Sequence, residues 1–398
     1  MSLILHPPSF YIDLFISFNL LFVKDFLMVM KQVHYLSGNE ASAEGAIAAG
    51  CRFYAGYPIT PSSELMERMA VRLREVKGVF IQMEDEIASI SAVIGAAWAG
   101  AKAMTATSGP GFSLMQESIG YAAFTETPCV IVDVQRAGPC TGQATKVGSG
   151  DIMQARWGSH GDYQVIALSP WSVQEMYDLT LRAFNLSERY RVPALIMADE
   201  AVGHLRENLI VHAKVEVWNR KKGKAPPFGT EREDGVPPMP CFGEGERLLV
   251  TGSTHDALGF RKTDDPEVHT RLVCRINEKI LKNRSRIVET EDYFLKDAEV
   301  VLIAYGFTAR TSLYVVKHLR KEGIKSGLLR LKTLWPFPEE AVTEVGKKVK
   351  KVIVPEMNMG QVAGEVRKFC RCDVVPLSQT NGEVIRPEAI LHKLREIA

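Results

Sequence analysis

One proline-rich stretch constrains the fold of this chain more than any other, because it ends a strand and begins a helix. An apolar run over Cys51–Ala55 is typical of a short buried strand, and residues 56–63 read Gly-Tyr-Pro-Ile-Thr-Pro-Ser-Ser. Pro58 and Pro61 cannot donate to a sheet ladder, so the strand ends before them, and residues 64–69 suit a helix. Ligands bind at such strand-to-helix turns in open α/β sheets. The stretch therefore predicts a ligand site, with an ordinary connecting loop stiffened by two prolines as the alternative.

Three acidic residues precede the next predicted helix. Val79–Gln82 is a short predicted strand, residues 84–86 read Glu-Asp-Glu, and Ile87–Gly100 is a predicted helix rich in Ala, Ile, Val and Ser. A helix that is apolar on all sides is buried. Acids at a helix start interact favourably with its dipole, which is enough to explain one of them. Three acids ahead of a buried helix predict that one has a chemical role.

A third predicted strand ends next to an arginine, at the predicted edge of the sheet. Residues 128–134 read Pro-Cys-Val-Ile-Val-Asp-Val, a nearly continuous apolar run that suits a parallel sheet. Gln135 and Arg136 follow at its carboxyl end. We expect Arg136 to point into the crevice, where a guanidinium can bind a carboxylate through two parallel hydrogen bonds, with a surface ion pair as the alternative. Residues 140–163 are rich in Gly and polar residues and predict a long binding loop.

The composition excludes some partners and limits the chemistry of the chain itself. A chain of 398 residues, 46% of them hydrophobic, is large enough for two globular domains. Its formal net charge of +1 gives no field that would recruit a nucleic acid. The seven cysteines include no Cys-x-x-Cys pair and no ferredoxin-type spacing, which indicates reduced thiols in a cytoplasmic protein. If the protein transfers electrons, we expect the iron–sulfur cluster on another chain.

Shifts in composition divide the chain into four parts. We expect residues 1–30 to be an extension that is not part of the native protein, translated from an upstream start codon, with a membrane anchor as the alternative. Residues 31–210 alternate predicted strands and helices and form the first α/β domain. Residues 211–295, which contain basic and proline-rich stretches, form a linker and a small insertion. Residues 296–398 alternate strands and helices again and form a second, smaller α/β domain.

Residues 56–63 resemble a signature of the alpha subunits of 2-oxoacid:ferredoxin oxidoreductases. Three further motifs follow in the order found in that family: Gln-Met-Glu-Asp-Glu-Ile-Ala at 82–88, Thr-Ala-Thr-Ser-Gly-Pro-Gly-Phe at 105–112 and Val-Gln-Arg-Ala-Gly-Pro at 134–139. The resemblance extends over residues 37–207 and resumes more weakly in the second domain. Several long motifs in order make it specific, and the chain is most like the 2-oxoglutarate type.

The resemblance implies a fold and a cofactor. The implied fold class is α/β, with a parallel sheet flanked by helices, as in the pyrimidine-type domains that bind thiamine diphosphate, and a smaller transketolase-C-like domain. Enzymes of this type need a buried carboxylate that exchanges a proton with the aminopyrimidine ring of thiamine diphosphate. The family's catalytic glutamate matches Glu86, with Glu84 as the alternative. Pro58 and Ile59 match positions that border the pyrimidine ring.

The resemblance also implies a substrate and partners. Arg136 matches the arginine that binds the substrate carboxylate, and Thr60 matches the threonine that contacts the oxo-acid end. The implied reaction is the oxidative decarboxylation of 2-oxoglutarate with coenzyme A, which passes electrons to ferredoxin, or the reverse synthesis. A beta subunit would hold the diphosphate, Mg²⁺ and an iron–sulfur cluster, and gamma and delta subunits are further candidate partners.

Three alternatives stay open at this point. The substrate could be pyruvate or a branched-chain 2-oxoacid, because specificity depends on the geometry of loops. The chain could be a non-catalytic scaffold subunit that keeps the fold. It could also be a stand-alone thiamine decarboxylase, although the Gly-Asp-Gly…Asn motif that binds diphosphate and Mg²⁺ appears nowhere in the sequence. We expect neither a nucleic acid nor a membrane as a partner.

Overall fold

The computed structural model describes residues 32–223 and 226–397, and the predicted extension, residues 1–30, lies outside them. The helices in these two ranges are all too short or too polar to cross a bilayer. The strands are β1 (Gln32–Ser37), β2 (Phe53–Gly56), β3 (Val79–Gln82), β4 (Ala103–Thr107), β5 (Cys129–Ala137), β6 (Gln143–Val147), β7 (Ile166–Leu168), β8 (Pro193–Asp199), β9 (Arg206–Val211), β10 (Thr290–Tyr293), β11 (Val300–Ala304), β12 (Ser326–Leu331), β13 (Thr333–Trp335), β14 (Lys351–Glu356) and β15 (Asp373–Ser378). The helices are α1 (Gly38–Ala48), α2 (Ser63–Glu75), α3 (Glu86–Trp98), α4 (Gly109–Phe124), α5 (Ile152–Trp157), α6 (Val173–Tyr190), α7 (Glu200–His204), α8 (Pro266–Leu281), α9 (Arg284–Ile287), α10 (Gly306–Lys321), α11 (Glu339–Lys348), α12 (Gln361–Phe369) and α13 (Pro387–Ile397).

The first domain is built on a parallel sheet whose central strand is buried along its whole length. The strand order is β13-β7-β8-β5-β4-β2-β3, and neighbours are parallel except for β13 and β7. Every residue of β5 is buried, as its apolar run predicts for a strand that is covered on both faces. Helices α1, α2 and α6 cover one face, and α3 and α4 cover the other. The predicted parallel sheet flanked by helices is therefore confirmed.

A capping box and a glycine place α1 against α6. Ser37 Oγ accepts a hydrogen bond from the Glu40 amide at 3.2 Å, and Glu40 Oε2 accepts one from the Ser37 amide at 2.8 Å. These reciprocal bonds satisfy two amide groups at the helix start. A Cβ atom at Gly45 would lie 2.3 Å from the Tyr177 carbonyl oxygen, so the two helices can approach this closely only at a glycine. The start of α1 is thereby fixed beside the sheet edge described below.

The second domain is a five-stranded sheet that packs against the first domain. Its strand order is β10-β12-β11-β14-β15, in which β10 is antiparallel to β12 and the other neighbours are parallel. Helices α10 and α13 cover one face, while α11 and α12 on the other face share a continuous apolar cluster with the first domain. The second, smaller α/β domain is confirmed. The domain boundaries stay a prediction, and β10 lies within the predicted insertion, residues 211–295.

The region from residue 140 to residue 163 differs from the long loop that the sequence predicts. It contains β6, which pairs antiparallel with β5, and the short helix α5. The prediction was wrong because β6 is mostly solvent-exposed and lacks an apolar alternation, while α5 is too short for a helical period to be visible. The region is therefore ordered by its pairing with a buried strand, which the local composition does not reveal.

A buried ion cluster fastens α8 to the first domain. Glu126, just after α4, accepts hydrogen bonds from Arg275 at 2.6 and 2.9 Å and from Lys279 at 2.6 Å. Burial alone would raise the pKa of Glu126, but the adjacent charges of Lys279 and Arg275 outweigh burial and hold that pKa well below its usual range. The Arg191 guanidinium donates to the Glu126 carbonyl oxygen at 3.1 Å. The cluster therefore joins part of the 211–295 region to the main sheet.

Removing the central acid of this cluster is expected to destabilise the chain. In Glu126→Ala, Lys279 keeps a buried positive charge without its partner, so we expect the free energy of unfolding to fall by about 3–5 kcal/mol. Urea denaturation followed by circular dichroism measures the change. The control is Glu244→Ala, which removes the exposed partner of Lys222 and should leave the unfolding curve unchanged. Similar curves for the two variants would contradict the role of the cluster.

Candidate active site

Four adjacent parallel strands end at the same edge of the first sheet. β5, β4, β2 and β3 lie side by side in that order. Two of these strand ends are joined directly, because the Met83 amide donates to the Gly56 carbonyl oxygen at 3.0 Å. The carboxyl ends of parallel strands meet at one edge, which is where ligands bind in open α/β sheets. That edge carries all the predicted site residues, namely Pro58, Ile59, Thr60, Glu86 and Arg136.

Side-chain hydrogen bonds hold the bend between β2 and α2. Ser62, at the N-cap position of α2, donates from Oγ to the Ile59 carbonyl oxygen at 3.0 Å and makes no side-chain bond to the helix amides. Asn39 on α1 donates from Nδ2 to the Pro61 carbonyl oxygen at 2.8 Å and to Glu64 Oε2 at 3.0 Å. These bonds satisfy carbonyl groups of the turn and connect it to α1 and α2. The bend is therefore held in one conformation.

Arg136 lies beside this bend with a buried donor that is free. The residue is 7% exposed near the carboxyl end of β5, and its Nη1 donates to the Thr60 carbonyl oxygen at 2.8 Å. Its Nε is buried and has no hydrogen-bond partner among the described residues. A buried donor without a partner costs free energy, which an anionic ligand would recover. The structure thus brings two predicted residues, Arg136 and Thr60, into contact.

Of the three acids at the start of α3, Glu86 is the buried one. It is 5% exposed, whereas Glu84 is exposed to solvent. Asp85 occupies the N-cap position, where its carboxylate accepts a hydrogen bond from the Ala88 amide at 2.7 Å, so it stabilises the helix start. Burial raises the pKa of Glu86 above its ordinary value. A carboxyl with a raised pKa exchanges protons more readily at physiological pH, which favours Glu86 over Glu84 for acid–base chemistry.

The Glu86 carboxyl lies against a glycine at the start of α4. A Cβ atom on Gly111 would lie 2.4 Å from Glu86 Oε1 and 2.3 Å from Thr107 Oγ1, closer than Cβ atoms approach other groups. Thr107 Oγ1 and Ser108 Oγ are buried and have no hydrogen-bond partner within the part of the chain that the structure describes. Unpaired buried hydroxyls require an explanation, and a polar ligand would provide it. The Ser-Gly-Pro-Gly turn after β4 therefore borders Glu86.

Sequence reasoning missed an acid pair next to these residues. Asp133 in β5 is fully buried, and burial followed by the adjacent Asp151 carboxyl raises its pKa well above the usual range. Burial also raises the pKa of Asp151, while the nearby charge of Arg136 acts in the opposite direction. Two adjacent buried carboxyls do not both ionise readily. A signal was available, because Asp133 interrupts an otherwise apolar strand.

The candidate site is an open edge rather than an enclosed cavity. Pro58 and Thr60 are exposed in the single chain. A cavity of about 720 Å³ lies elsewhere, on the second domain beside Phe294 and Glu340, and includes none of the predicted site residues. The sheet edge, unlike this cavity, combines a buried acid, a buried guanidinium and unpaired hydroxyls, which are features of an active site.

Two family models match the sequence. The model described as pyruvate flavodoxin/ferredoxin oxidoreductase, thiamine diphosphate-binding, matches residues 44–275, and the one described as pyruvate:ferredoxin oxidoreductase core domain II matches residues 298–390. The chain belongs to the 2-oxoacid:ferredoxin oxidoreductase family. The prediction of an oxidoreductase subunit is confirmed, and the first model confirms that the cofactor class is thiamine diphosphate.

Individual members of the family are similar over most of this chain. The 2-oxoglutarate synthase subunit KorA of Methanocaldococcus jannaschii is 53% identical, over 90% of this chain and 98% of that protein. The solved 2-oxoglutarate:ferredoxin oxidoreductase of Magnetococcus marinus, with 2-oxoglutarate, coenzyme A and succinyl-CoA bound, is 34% identical with a TM-score of 0.88, over 92% of this chain and 65% of that chain. An inactive split-gene transketolase tetramer, 12% identical with a TM-score of 0.51 over 89% of this chain and 91% of that chain, shares the fold. The predicted fold class and the likeness to the 2-oxoglutarate type are confirmed.

One added methyl group tests the packing of the Glu86 carboxyl. In Gly111→Ala the new Cβ collides with Glu86 and Thr107, so we expect the free energy of unfolding to fall by about 1–3 kcal/mol. The measurement is urea denaturation of the purified chain. The control is Gly95→Ala on α3, where a Cβ meets no atom within 4 Å and alanine should stabilise the helix by about 0.5–1 kcal/mol. Equal stability of the two variants would show that the contact is absent.

Proposed function

We propose that this chain is the alpha subunit of a thiamine diphosphate-dependent 2-oxoglutarate:ferredoxin oxidoreductase. The enzyme converts 2-oxoglutarate and coenzyme A to succinyl-CoA and CO₂ and passes two electrons to ferredoxin, or runs in reverse. One observation carries the proposal: the buried Glu86 carboxyl and the buried Arg136 guanidinium lie at one sheet edge of a chain that matches this family in both domains. A cytoplasmic location is part of the proposal and is supported by the scattered cysteines.

The residues around Glu86 fit the aminopyrimidine half of the cofactor. Thiamine diphosphate, when bound, supplies a nucleophilic carbon for the 2-oxo group of the substrate. Glu86 holds the proton that is exchanged with the ring nitrogen, and its burial and raised pKa support this role. Pro58 and Ile59 would border the ring with apolar atoms. The unpaired hydroxyls of Thr107 and Ser108 offer hydrogen bonds to the polar atoms of the ring.

Arg136 and Thr60 are assigned to the substrate. The Nε–H group of Arg136 has no partner among the described residues, and the bond from Nη1 to the Thr60 carbonyl oxygen orients the guanidinium. Thr60 is exposed at the bend, so its hydroxyl is accessible to the oxo-acid end of the substrate. The two residues thus bind and orient the 2-oxoacid next to Glu86.

The other half of the active centre is assigned to a beta subunit. The sequence lacks the Gly-Asp-Gly…Asn motif and a cluster-binding cysteine pattern, so we place the diphosphate, Mg²⁺ and an iron–sulfur cluster on that partner. Four large apolar side chains at the candidate edge are exposed in the single chain, which supports a subunit interface there: Tyr57, Ile81, Ile87 and Leu114. Ferredoxin, and gamma and delta subunits, complete the proposed set of partners.

Replacing the buried acid separates a catalytic subunit from a scaffold. In the complex reconstituted with its beta subunit, Glu86→Gln keeps the shape of the side chain but removes the exchangeable charge, so we expect kcat to fall by about 10²–10⁴-fold. The control is Glu84→Gln, at the exposed neighbouring acid, which should keep kcat within about twofold of the wild type. Reduction of ferredoxin measures turnover. Unchanged turnover in Glu86→Gln would favour the scaffold alternative.

Removing the guanidinium tests substrate binding. In Arg136→Ala, we expect the KM for 2-oxoglutarate to rise by about 10–100-fold, because a hydrogen bond to a charged group is lost. Arg74→Ala, at an exposed position on α2, is the matched control.

The wild-type complex assayed with 2-oxoglutarate, pyruvate and a branched-chain 2-oxoacid should show the highest kcat/KM for 2-oxoglutarate. A higher value for another 2-oxoacid would overturn the substrate assignment.

A further inference from the structure

A short segment of the first domain links Arg136 to the second domain. Residues 148–153, here called the 148–153 segment, run from the end of β6 into the first turn of α5. Val147, at the end of β6, pairs with Arg136 in β5, and a Cβ atom on Gly148 would lie 2.8 Å from the Arg136 carbonyl oxygen. The Asp151 amide donates to Gln135 Oε1 at 3.1 Å. The segment therefore begins directly beside the Arg136 backbone, which pairs with Val147, and is bonded to the side chain of the preceding residue, Gln135.

Asn358, which follows β14 in the second domain, holds the start of the segment. Its Nδ2 donates to the Ser149 carbonyl oxygen at 2.7 Å and to Tyr305 Oη at 2.9 Å, and the Ser149 amide donates to the Met357 carbonyl oxygen at 3.0 Å. Asn358, Ser149 and Tyr305 are all buried. Tyr305 Oη in turn donates to Glu356 Oε2 at 3.0 Å. Asn358 is thus fixed by a buried network, which specifies its geometry.

Gln361, at the start of α12, holds the middle and the end of the segment. Its Nε2 donates to the Gly150 carbonyl oxygen at 2.6 Å, and its Oε1 accepts a hydrogen bond from the Met153 amide at 3.0 Å. The Gln361 amide itself donates to Asn358 Oδ1 at 3.0 Å, so the two side chains form one unit. Met357, Asn358 and Gln361 of the second domain therefore hold the segment through hydrogen bonds to residues 149, 150 and 153.

We propose that Asn358 and Gln361 are positioning residues that orient Arg136 for the substrate carboxylate. The inference rests on the proposed function of Arg136. Each amide side chain acts by fixing the 148–153 segment, which continues from Val147, the residue paired with Arg136, and is bonded to Gln135 through Asp151. A bidentate contact between a guanidinium and a carboxylate requires precise geometry, so a shift of the Arg136 backbone would weaken substrate binding. The second domain therefore affects the affinity for the substrate as well as the packing of the chain.

Two variants of the assembled complex test this inference. Asn358→Ala removes one anchor, and Gln361→Glu is a milder change that removes the donor to Gly150 but keeps the acceptor for Met153. We expect each to raise the KM for 2-oxoglutarate by about 3–10-fold, with kcat changed less than about twofold. Asn208→Ala, at an exposed amide on β9, is the control and should leave KM unchanged. A loss of kcat at constant KM would overturn the inference.

A double-mutant cycle separates positioning from general destabilisation. If Asn358 acts through Arg136, then Asn358→Ala should have no further effect on KM in the Arg136→Ala background. The same fold-change in both backgrounds would show that Asn358 acts independently of the arginine and would refute the inference.

Hydrogen exchange gives a readout that does not depend on turnover. In the assembled Asn358→Ala complex, amides in residues 147–153 should exchange at least about tenfold faster, whereas amides in β11 keep their wild-type rates. Unchanged exchange in residues 147–153 refutes the inference even if the enzyme is active. A wild-type complex that turns over no 2-oxoacid refutes the proposed function instead, so the two failures can be told apart.

Discussion

The hydrogen bond from Arg136 to the Thr60 carbonyl group joins two strand ends that are not neighbours in the sheet. β4 lies between β5, which carries Arg136, and β2, which leads into the Thr60 bend. The bond is possible because parallel strands end at the same edge, where their connecting loops can meet above the strand between them. The surrounding contacts support it: Asn39 holds the bend from α1, and β6 holds the arginine from the other side.

The edge brings together several buried polar groups that have no hydrogen-bond partner among the described residues. The buried carboxylate of Glu126, by contrast, is paired with Lys279 and Arg275. At the edge, the Nε atom of Arg136 and the hydroxyl of Thr107 are buried without partners among the described residues. Each such group costs stability in the isolated chain. A ligand and a second subunit that satisfy these groups would therefore gain binding energy that the fold alone cannot provide.

The sequence predicted the features that depend on local patterns. The apolar run before Arg136 predicted a buried strand that ends at the site, and the Pro-Ile-Thr-Pro bend predicted the turn between β2 and α2. The choice of Glu86 over Glu84 came from the resemblance, and the burial of Glu86 agrees with it.

The features that depend on distant contacts were missed. β6 is stable because it pairs with β5, Asp133 is buried beside Asp151 by folding, and Asn358 reaches the first domain only through the packing of two sheets.

The most direct test of the central claim is a structure of the assembled complex with thiamine diphosphate and 2-oxoglutarate bound. We expect the Glu86 carboxyl to lie within hydrogen-bonding distance of the aminopyrimidine ring and the Arg136 guanidinium to contact the substrate carboxylate, with the cofactor's diphosphate held by the partner subunit. A cofactor bound away from the Pro-Ile-Thr bend, with Glu86 or Arg136 facing bulk solvent, would contradict the account.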